Sequence, residues 1–211
     1  MKILAVSDIV DDRLYTPRLK ENLSSVDLVL GCGDLPYEYL EFLVSSLNVP
    51  LLYVPGNHDP RYDPTNPAAR ADGCENIDRQ VRQVKGLAIA GLGGSIRYKP
   101  AAVNQYTQSQ MWQRTISLAP ALLWSRLRRG HRLDIMIAHS PPFGLHDDDD
   151  QAHTGFAAFV TLIKTFRPRY FLHGHTMANK NNLDESLSLV NSTRVININP
   201  YRLIEVEPHV R

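Results

Sequence analysis

The sequence predicts an α/β fold, and two observations predict it. Short apolar runs of strand length alternate with longer runs of helical period along the 211 residues. Five of the short runs also stop at an Asp, Asn or His, and the C-terminal ends of α/β strands are where sites assemble.

The elements follow in order. Lys2-Ile3-Leu4-Ala5-Val6 is a strand that runs into Ser7-Asp8, and residues 18–23 read as a helix. Residues 26–30 form a second strand leading into Gly31-Cys32-Gly33-Asp34. The helix from Tyr37 to Leu47 opens at Pro36, which suits a helix start because proline has no N–H to leave unpaired. Val49-Pro50-Leu51-Leu52-Tyr53-Val54 is a third strand and ends in Gly56-Asn57-His58-Asp59. Residues 60–80, rich in Pro, Asp, Asn and Arg, read as a long loop over the site. Residues 86–90 look like another core strand before Gly91-Leu92-Gly93-Gly94. Residues 105–129 read as helical, with Pro120 as a candidate break and a basic end at Arg126, Arg128 and Arg129. Residues 133–138 give a strand into His139-Ser140-Pro141-Pro142, and residues 155–166 a helix. Tyr170-Phe171-Leu172 is a strand into His173-Gly174-His175-Thr176, and residues 193–198 and 202–206 resemble closing strands of a second sheet. Neither a repeat nor a linker interrupts the pattern, so residues 1–211 read as one domain.

Charge and cysteine usage narrow the setting. The 23 basic and 22 acidic residues nearly cancel, leaving no electrostatic footprint for a nucleic acid or a membrane. Stretches that interleave aromatic and basic residues are lacking too, which disfavours a nuclease. Cys32 and Cys74 make no disulfide framework and point to a reducing cytoplasm. The first apolar run is broken by Asp8, too early for a secretory signal, and no stretch approaches the ~20 apolar residues of a spanning helix. Residues 64–76, dense in turn formers, read as a lid or a homodimer contact.

Any one polar strand end could be a helix cap or a turn. Five together are improbable by chance. Asp8, Asp34, Asn57, His139 and His175 supply carboxylate, amide oxygen and imidazole, the donors that hold divalent metals of intermediate hardness.

In their order along nearly the whole chain, Gly33-Asp34, Gly56-Asn57-His58-Asp59, His139 and Gly174-His175 resemble the motifs of the calcineurin-like metallophosphoesterases. The resemblance implies two stacked mixed β-sheets flanked by helices, a four-layer α/β/β/α sandwich. It implies a two-metal site in which Asp34 bridges, Asn57, His139 and His175 complete one ion, and Asp8 belongs to the other. It also implies a small phosphomonoester or phosphodiester substrate. His58 would stabilise or protonate the leaving group, with Asp59 as its orienter.

Two departures bear on that expectation. The family pattern reads Asp-x-His at its first motif and Gly-His-x-His at its last. This chain has Asp8-Ile9-Val10 and Gly174-His175-Thr176-Met177. Both missing imidazoles belong, in the family, to the ion that also takes Asp8. One tightly bound divalent ion is expected, Mn²⁺ foremost with Fe, Zn or Mg as alternatives, and a second that is weak or absent. A metal lowers the pKa of its bound water from 15.7 toward about 7, and two ions clamp the attacking and leaving oxygens. Slow turnover or a demand for high Mn²⁺ follows. The alternative is a weakly catalytic metal- and nucleotide-binding sensor or scaffold.

The remaining candidates carry two readings each. Asp11 or Asp12 could supply a carboxylate in place of the lost imidazole, or simply cap a turn. His146 and His153 flank the acidic run from Asp147 to Asp150 and could replace a ligand, although loop histidines are commonly solvated. His173 alternates away from His175 and reads as a satisfied core histidine. Gly91-Leu92-Gly93-Gly94 lacks the Lys-Ser/Thr of a phosphate loop and reads as a tight turn. Arg97 and Tyr98 read as substrate contacts or as solvated. The basic residues between Arg126 and Arg132 read as an anion contact or as a helix end complementing its dipole.

Overall fold

The computed structural model describes residues 1–130, 132–177 and 186–207. Thirteen strands and four α-helices occur among them. The strands are β1 (Lys2–Val6), β2 (Leu28–Gly31), β3 (Leu51–Tyr53), β4 (Glu75–Asn76), β5 (Val81–Val84), β6 (Leu87–Leu92), β7 (Ser95–Ile96), β8 (Gln105–Tyr106), β9 (Ile135–Ala138), β10 (Tyr170–His173), β11 (Leu187–Val190), β12 (Thr193–Asn197) and β13 (Tyr201–Glu205). The helices are α1 (Leu19–Asn22), α2 (Tyr37–Leu47), α3 (Gln108–Arg129) and α4 (Ala157–Phe166).

Two large mixed sheets stack face to face. The first runs β13-β1-β2-β3-β4 and the second β11-β12-β10-β9-β6-β5. Their parallel centres explain why the strands read as continuous apolar runs, since both faces are covered. Ile3, Leu30 and Leu52 from one sheet meet Ile89, Ile137 and Leu172 from the other in the inner core. Leu4, Val29 and Leu51 turn outward onto α1 and α2. Ala88, Met136 and Phe171 do the same onto α3 and α4. The layers are therefore α/β/β/α, as the resemblance implied. No helix of the described residues is long and apolar enough to cross a membrane.

Several boundaries differ from expectation, each for a local reason. Residues 202–206 close the first sheet, not the second, because β13 pairs antiparallel with the free side of β1, Ile204 opposite Ile3. Gln105–Tyr106 is a strand paired with β7, and the helix starts only after Thr107. Thr107 and Gln110 form a reciprocal capping box there, a strong start signal. Pro120 does not break α3, which buries Met111, Thr115, Leu118 and Leu122 and so stays docked. Residues 60–80 hold a short 3-10 turn (Pro67–Ala69) and β4, which pairs with β3. Gly93 and Gly94 make the expected tight turn, their N–H groups donating to Asp78 (2.8 Å) and the Pro55 carbonyl (2.8 Å).

Arg129, at the basic end of α3, turns inward. It donates to fully buried Asp134 at 2.9 Å, and Asp134 also accepts the Ala88 N–H at 2.8 Å.

Candidate metal centre

The C-terminal ends of β1, β2, β3, β9 and β10 meet at one edge of the sandwich, where a cavity of about 500 Å³ is lined by Asp8, Asp34, Asn57, His58, Tyr98, Ala152, His153 and His175. Backbone geometry sets the aim of these side chains. Asp8 (φ 63°), Asp34 (φ 56°) and His175 (φ 68°) all adopt the left-handed conformation that non-glycine residues avoid. Each costs about 1–2 kcal/mol, and such strain concentrates at functional sites. Two glycines permit the close approach. A Cβ on Gly56 would lie 2.0 Å from Asp34 Oδ1, and one on Gly174 would lie 1.9 Å from Ser7 Oγ.

His139 is fully buried at the centre. Its Nδ1 donates to the Cys32 carbonyl at 2.8 Å. Its Nε2 faces two oxygens, Asn57 Oδ1 at 2.9 Å and Asp34 Oδ2 at 3.3 Å. With acceptors at both nitrogens the ring holds its proton. Burial opposes the charge, but Asp34 and then Asp8 and the Cys32 carbonyl outweigh it, raising the pKa to about 9. Asp34 moves the other way. Burial alone would raise it, yet His139 and the His58 amide hold it below the usual carboxylate range.

His175 has a similar anchor. Its Nε2 donates to the Ala152 carbonyl at 2.8 Å, which leaves Nδ1 with a free lone pair. Burial and the neighbouring charge of His139 lower its pKa to about 3, so it is neutral near pH 7. Ligand atoms of Asp34, His139 and His175 all lie within 4.8 Å of one another. Tyr98 accepts the Asn57 side-chain N–H at 3.2 Å, and the Asn57 oxygen is the atom turned toward His139. The donor set fits a divalent cation: one carboxylate, one amide oxygen and two imidazoles, each ring tied by its other nitrogen to a backbone carbonyl.

Asp8 is differently engaged. Its carboxylate accepts the His175 N–H at 3.0 Å and the Ser7 hydroxyl. Burial raises its pKa in spite of those bonds and of His139. Asp59 does not orient His58 as expected. Its Oδ2 accepts the main-chain N–H groups of Gly56 (2.7 Å) and Asp34 (3.0 Å), clamping two strand-end turns together. Burial raises the Asp59 pKa. The His58 side chain is 69% exposed over the cavity, its Nε2 4.0 Å from Asp34 Oδ2.

The candidate replacements for the missing imidazoles sort themselves by position. Asp11 pairs with Arg13, and Asp12 is absent from the cavity lining. His146 donates from Nδ1 to His173 Nε2 (2.9 Å) and accepts at Nε2 from Ser188 (2.8 Å), behind the centre. His153 does line the cavity, its ring 5.1 Å from that of His175 and its Nδ1 on Asp150. His173 is the buried, satisfied histidine foreseen for it, with a pKa lowered to about 3 by burial and by His146. Arg97 turns to Gln105 and Gln110 and away from the cavity, whereas Tyr98 lines it. Residues not singled out from sequence complete the frame. Asn197 and Asn199 donate to the Thr176 carbonyl (3.1 and 3.2 Å), pinning the turn that carries His175. Their only sequence signal is that both stand at the end of an apolar strand.

The sequence profile of the calcineurin-like phosphoesterases matches residues 1–179, and the chain belongs to that family. It is 24% identical over 214 residues to the uncharacterized protein MJ1162 of Methanocaldococcus jannaschii, covering 95% of this chain and 88% of that one. The crystal structure of TT1561 of Thermus thermophilus superposes with a TM-score of 0.61 at 19% identity, covering 93% of this chain and 88% of the other. A second crystal structure superposes with a TM-score of 0.66 at 18% identity, covering 96% and 94%. These two likenesses establish the fold. The family is one of metal-dependent phosphoester hydrolysis.

Proposed function

We propose that the protein hydrolyses a small phosphomonoester or phosphodiester, with one divalent ion, Mn²⁺ foremost, held tightly by Asp34, Asn57, His139 and His175. The observation that carries this reading is the convergence of those donors, with each imidazole anchored through its second nitrogen. When bound, the ion supplies Lewis-acid polarisation of the phosphoryl oxygens and lowers the pKa of a water.

The chain's own residues do the rest. The Cys32 and Ala152 carbonyls fix the ring tautomers, so that His139 Nε2 and His175 Nδ1 are the nitrogens left to bind. Asp59 and Gly56 hold the Asp34 turn. Tyr98 keeps the Asn57 oxygen inward. His58, exposed above Asp34, stands where it can stabilise or protonate the leaving oxygen.

A second ion binds weakly or not at all. Val10 and Met177 offer it no nitrogen, Met177 is 71% exposed, and only Asp8 and the bridging Asp34 remain for it. That feature favours a second reading, a slow enzyme that works mainly as a sensor of a bound phosphate ester. Hydrolysis of bis(p-nitrophenyl) phosphate and p-nitrophenyl phosphate by Mn²⁺-loaded protein tests the primary reading. Turnover lost in His139→Ala supports it; turnover unchanged in that variant would refute it. The reading also carries a cytoplasmic setting and disfavours a nucleic-acid partner, on charge and cysteine usage alone.

A further inference from the structure

A second cavity, of about 570 Å³, opens between the sheets at the edge formed by β11 and β13. It lies along the start of β10, whereas the metal centre lies beyond that strand's other end. Nothing in phosphoester hydrolysis uses it. We propose that this cavity binds a small organic anion, a phosphate or carboxylate head on an apolar body, in a site separate from the metal centre.

Two arginines enter it from facing sheets. Arg202 pairs in register with Ala5, and Arg194 with Tyr170. Ala5 and Tyr170 belong to the core between the sheets. Cross-strand partners share a face, so both guanidinium stems point into the inter-sheet layer. That layer is elsewhere apolar, formed by side chains such as Ile3, Leu172 and Ile196. Burial disfavours the charge of Arg202, and its side chain has neither an ion pair nor a hydrogen bond among the described residues. Arg194 is held at the mouth, donating to the Tyr170 hydroxyl at 3.1 Å with its guanidinium over that ring. Ser186, 3% exposed, adds a hydroxyl that has no hydrogen-bond partner among the described residues.

Two guanidiniums and a hydroxyl suit an anionic head, which arginine grips through paired N–H donors. One acid, exposed Glu205, shares the lining, so positive charge predominates. Leu187, Ile196, Leu203 and Ile204 supply apolar wall for the remainder of the ligand. The volume falls within the range of about 300–1,000 Å³ usual for small-molecule sites.

The test uses full-length protein kept metal-free with EDTA, so that the metal centre contributes no anion affinity. Octanoate and phenyl phosphate are titrated by calorimetry, with octylammonium and inorganic phosphate as comparators. Both organic anions are expected to saturate one site. Octylammonium should not bind, and inorganic phosphate should bind at least tenfold more weakly. Arg202→Met and Arg194→Met should each weaken both anions at least tenfold, while Arg202→Lys retains part of the affinity. Amide NMR shifts in the unmodified chain should centre on Tyr170, Ser186 and Arg202, a readout that survives if a variant fails to fold. Absence of saturable anion binding, unchanged affinity in both methionine variants, or shifts centred elsewhere would each overturn the proposal.

Discussion

The carboxylate of Asp8 accepts the main-chain N–H of His175 at 3.0 Å, joining the end of β1 to the turn after β10. This bond spans the two stacked sheets. Asp8 is also the one carboxylate, beside Asp34, that a second ion would need, and the bond fixes where it stands. Around that position Val10 and Met177 offer no imidazole nitrogen.

His139→Ala should abolish tight Mn²⁺ binding. Anchoring groups around a metal ligand are typically worth about 10–100-fold in affinity, and the ligand itself should exceed that upper value. Isothermal titration measures it directly. A loss below tenfold would mean that His139 is not a ligand.

Val10→His combined with Met177→His should raise bound Mn²⁺ from one to two per chain and increase phosphodiester turnover. Met177 is exposed, so its replacement disturbs little, while Val10 packs partly against the outer apolar cluster and carries the folding risk. Metal analysis and circular dichroism on the same sample separate the two effects. A folded double variant with one ion would rule out the missing imidazoles as the cause of weak binding.

The pH dependence of metal uptake follows from His139. Its pKa of about 9 means that below this pH the ion must displace a proton. Apparent Mn²⁺ affinity should climb about tenfold per pH unit from about pH 6 toward 9, with one proton released per ion. A flat profile would contradict the assignment of His139 Nε2 as the binding atom.

Stability of the metal-free protein should peak near neutrality and fall on both sides. His173 and His175 titrate near 3 in the folded chain and near 6.5 when unfolded, so the unfolded state binds more protons as pH drops below 6.5. Their contribution is present above 6.5 and lost toward 3. His139 acts oppositely: its contribution is present below 6.5 and lost as pH rises through about 9. Thermal melts against pH measure both limbs, and His173→Gln should flatten the acid one. A melting temperature that rises on acidification would contradict this.

Asp134→Ala should destabilise the fold by about 3–5 kcal/mol, because it leaves the buried Arg129 charge without its carboxylate, with only the Gly86 carbonyl among the described residues to accept from it. Mn²⁺ affinity should stay within about threefold of the parent, since Asp134 opens β9 and His139 follows its other end. Denaturant unfolding and metal titration together check it.

The strand ends were legible because parallel strands covered on both faces leave unbroken apolar runs, and an Asp, Asn or His that ends such a run stands out. That is why Asp8, Asp34, Asn57, His139 and His175 could be placed at one edge in advance. What escaped depends on partners distant in sequence. The membership of β13 rests on its register with β1, about 200 residues earlier in the chain, and short edge strands such as β4, β5 and β11 have too few residues to show a period. Ala152 anchors His175 through its carbonyl, which any residue type would provide, so no sequence pattern could mark it. Asp59 sits beside His58 in sequence but serves the amides of Gly56 and Asp34, a choice made by how two loops pack.

Metal content per chain, measured after loading the purified protein with Mn²⁺ and desalting, tests the central claim most directly. One ion per chain is the expected result, lost in His139→Ala. Two ions per chain would contradict the account by showing a second tight site, and no ion at all would contradict the metal centre itself.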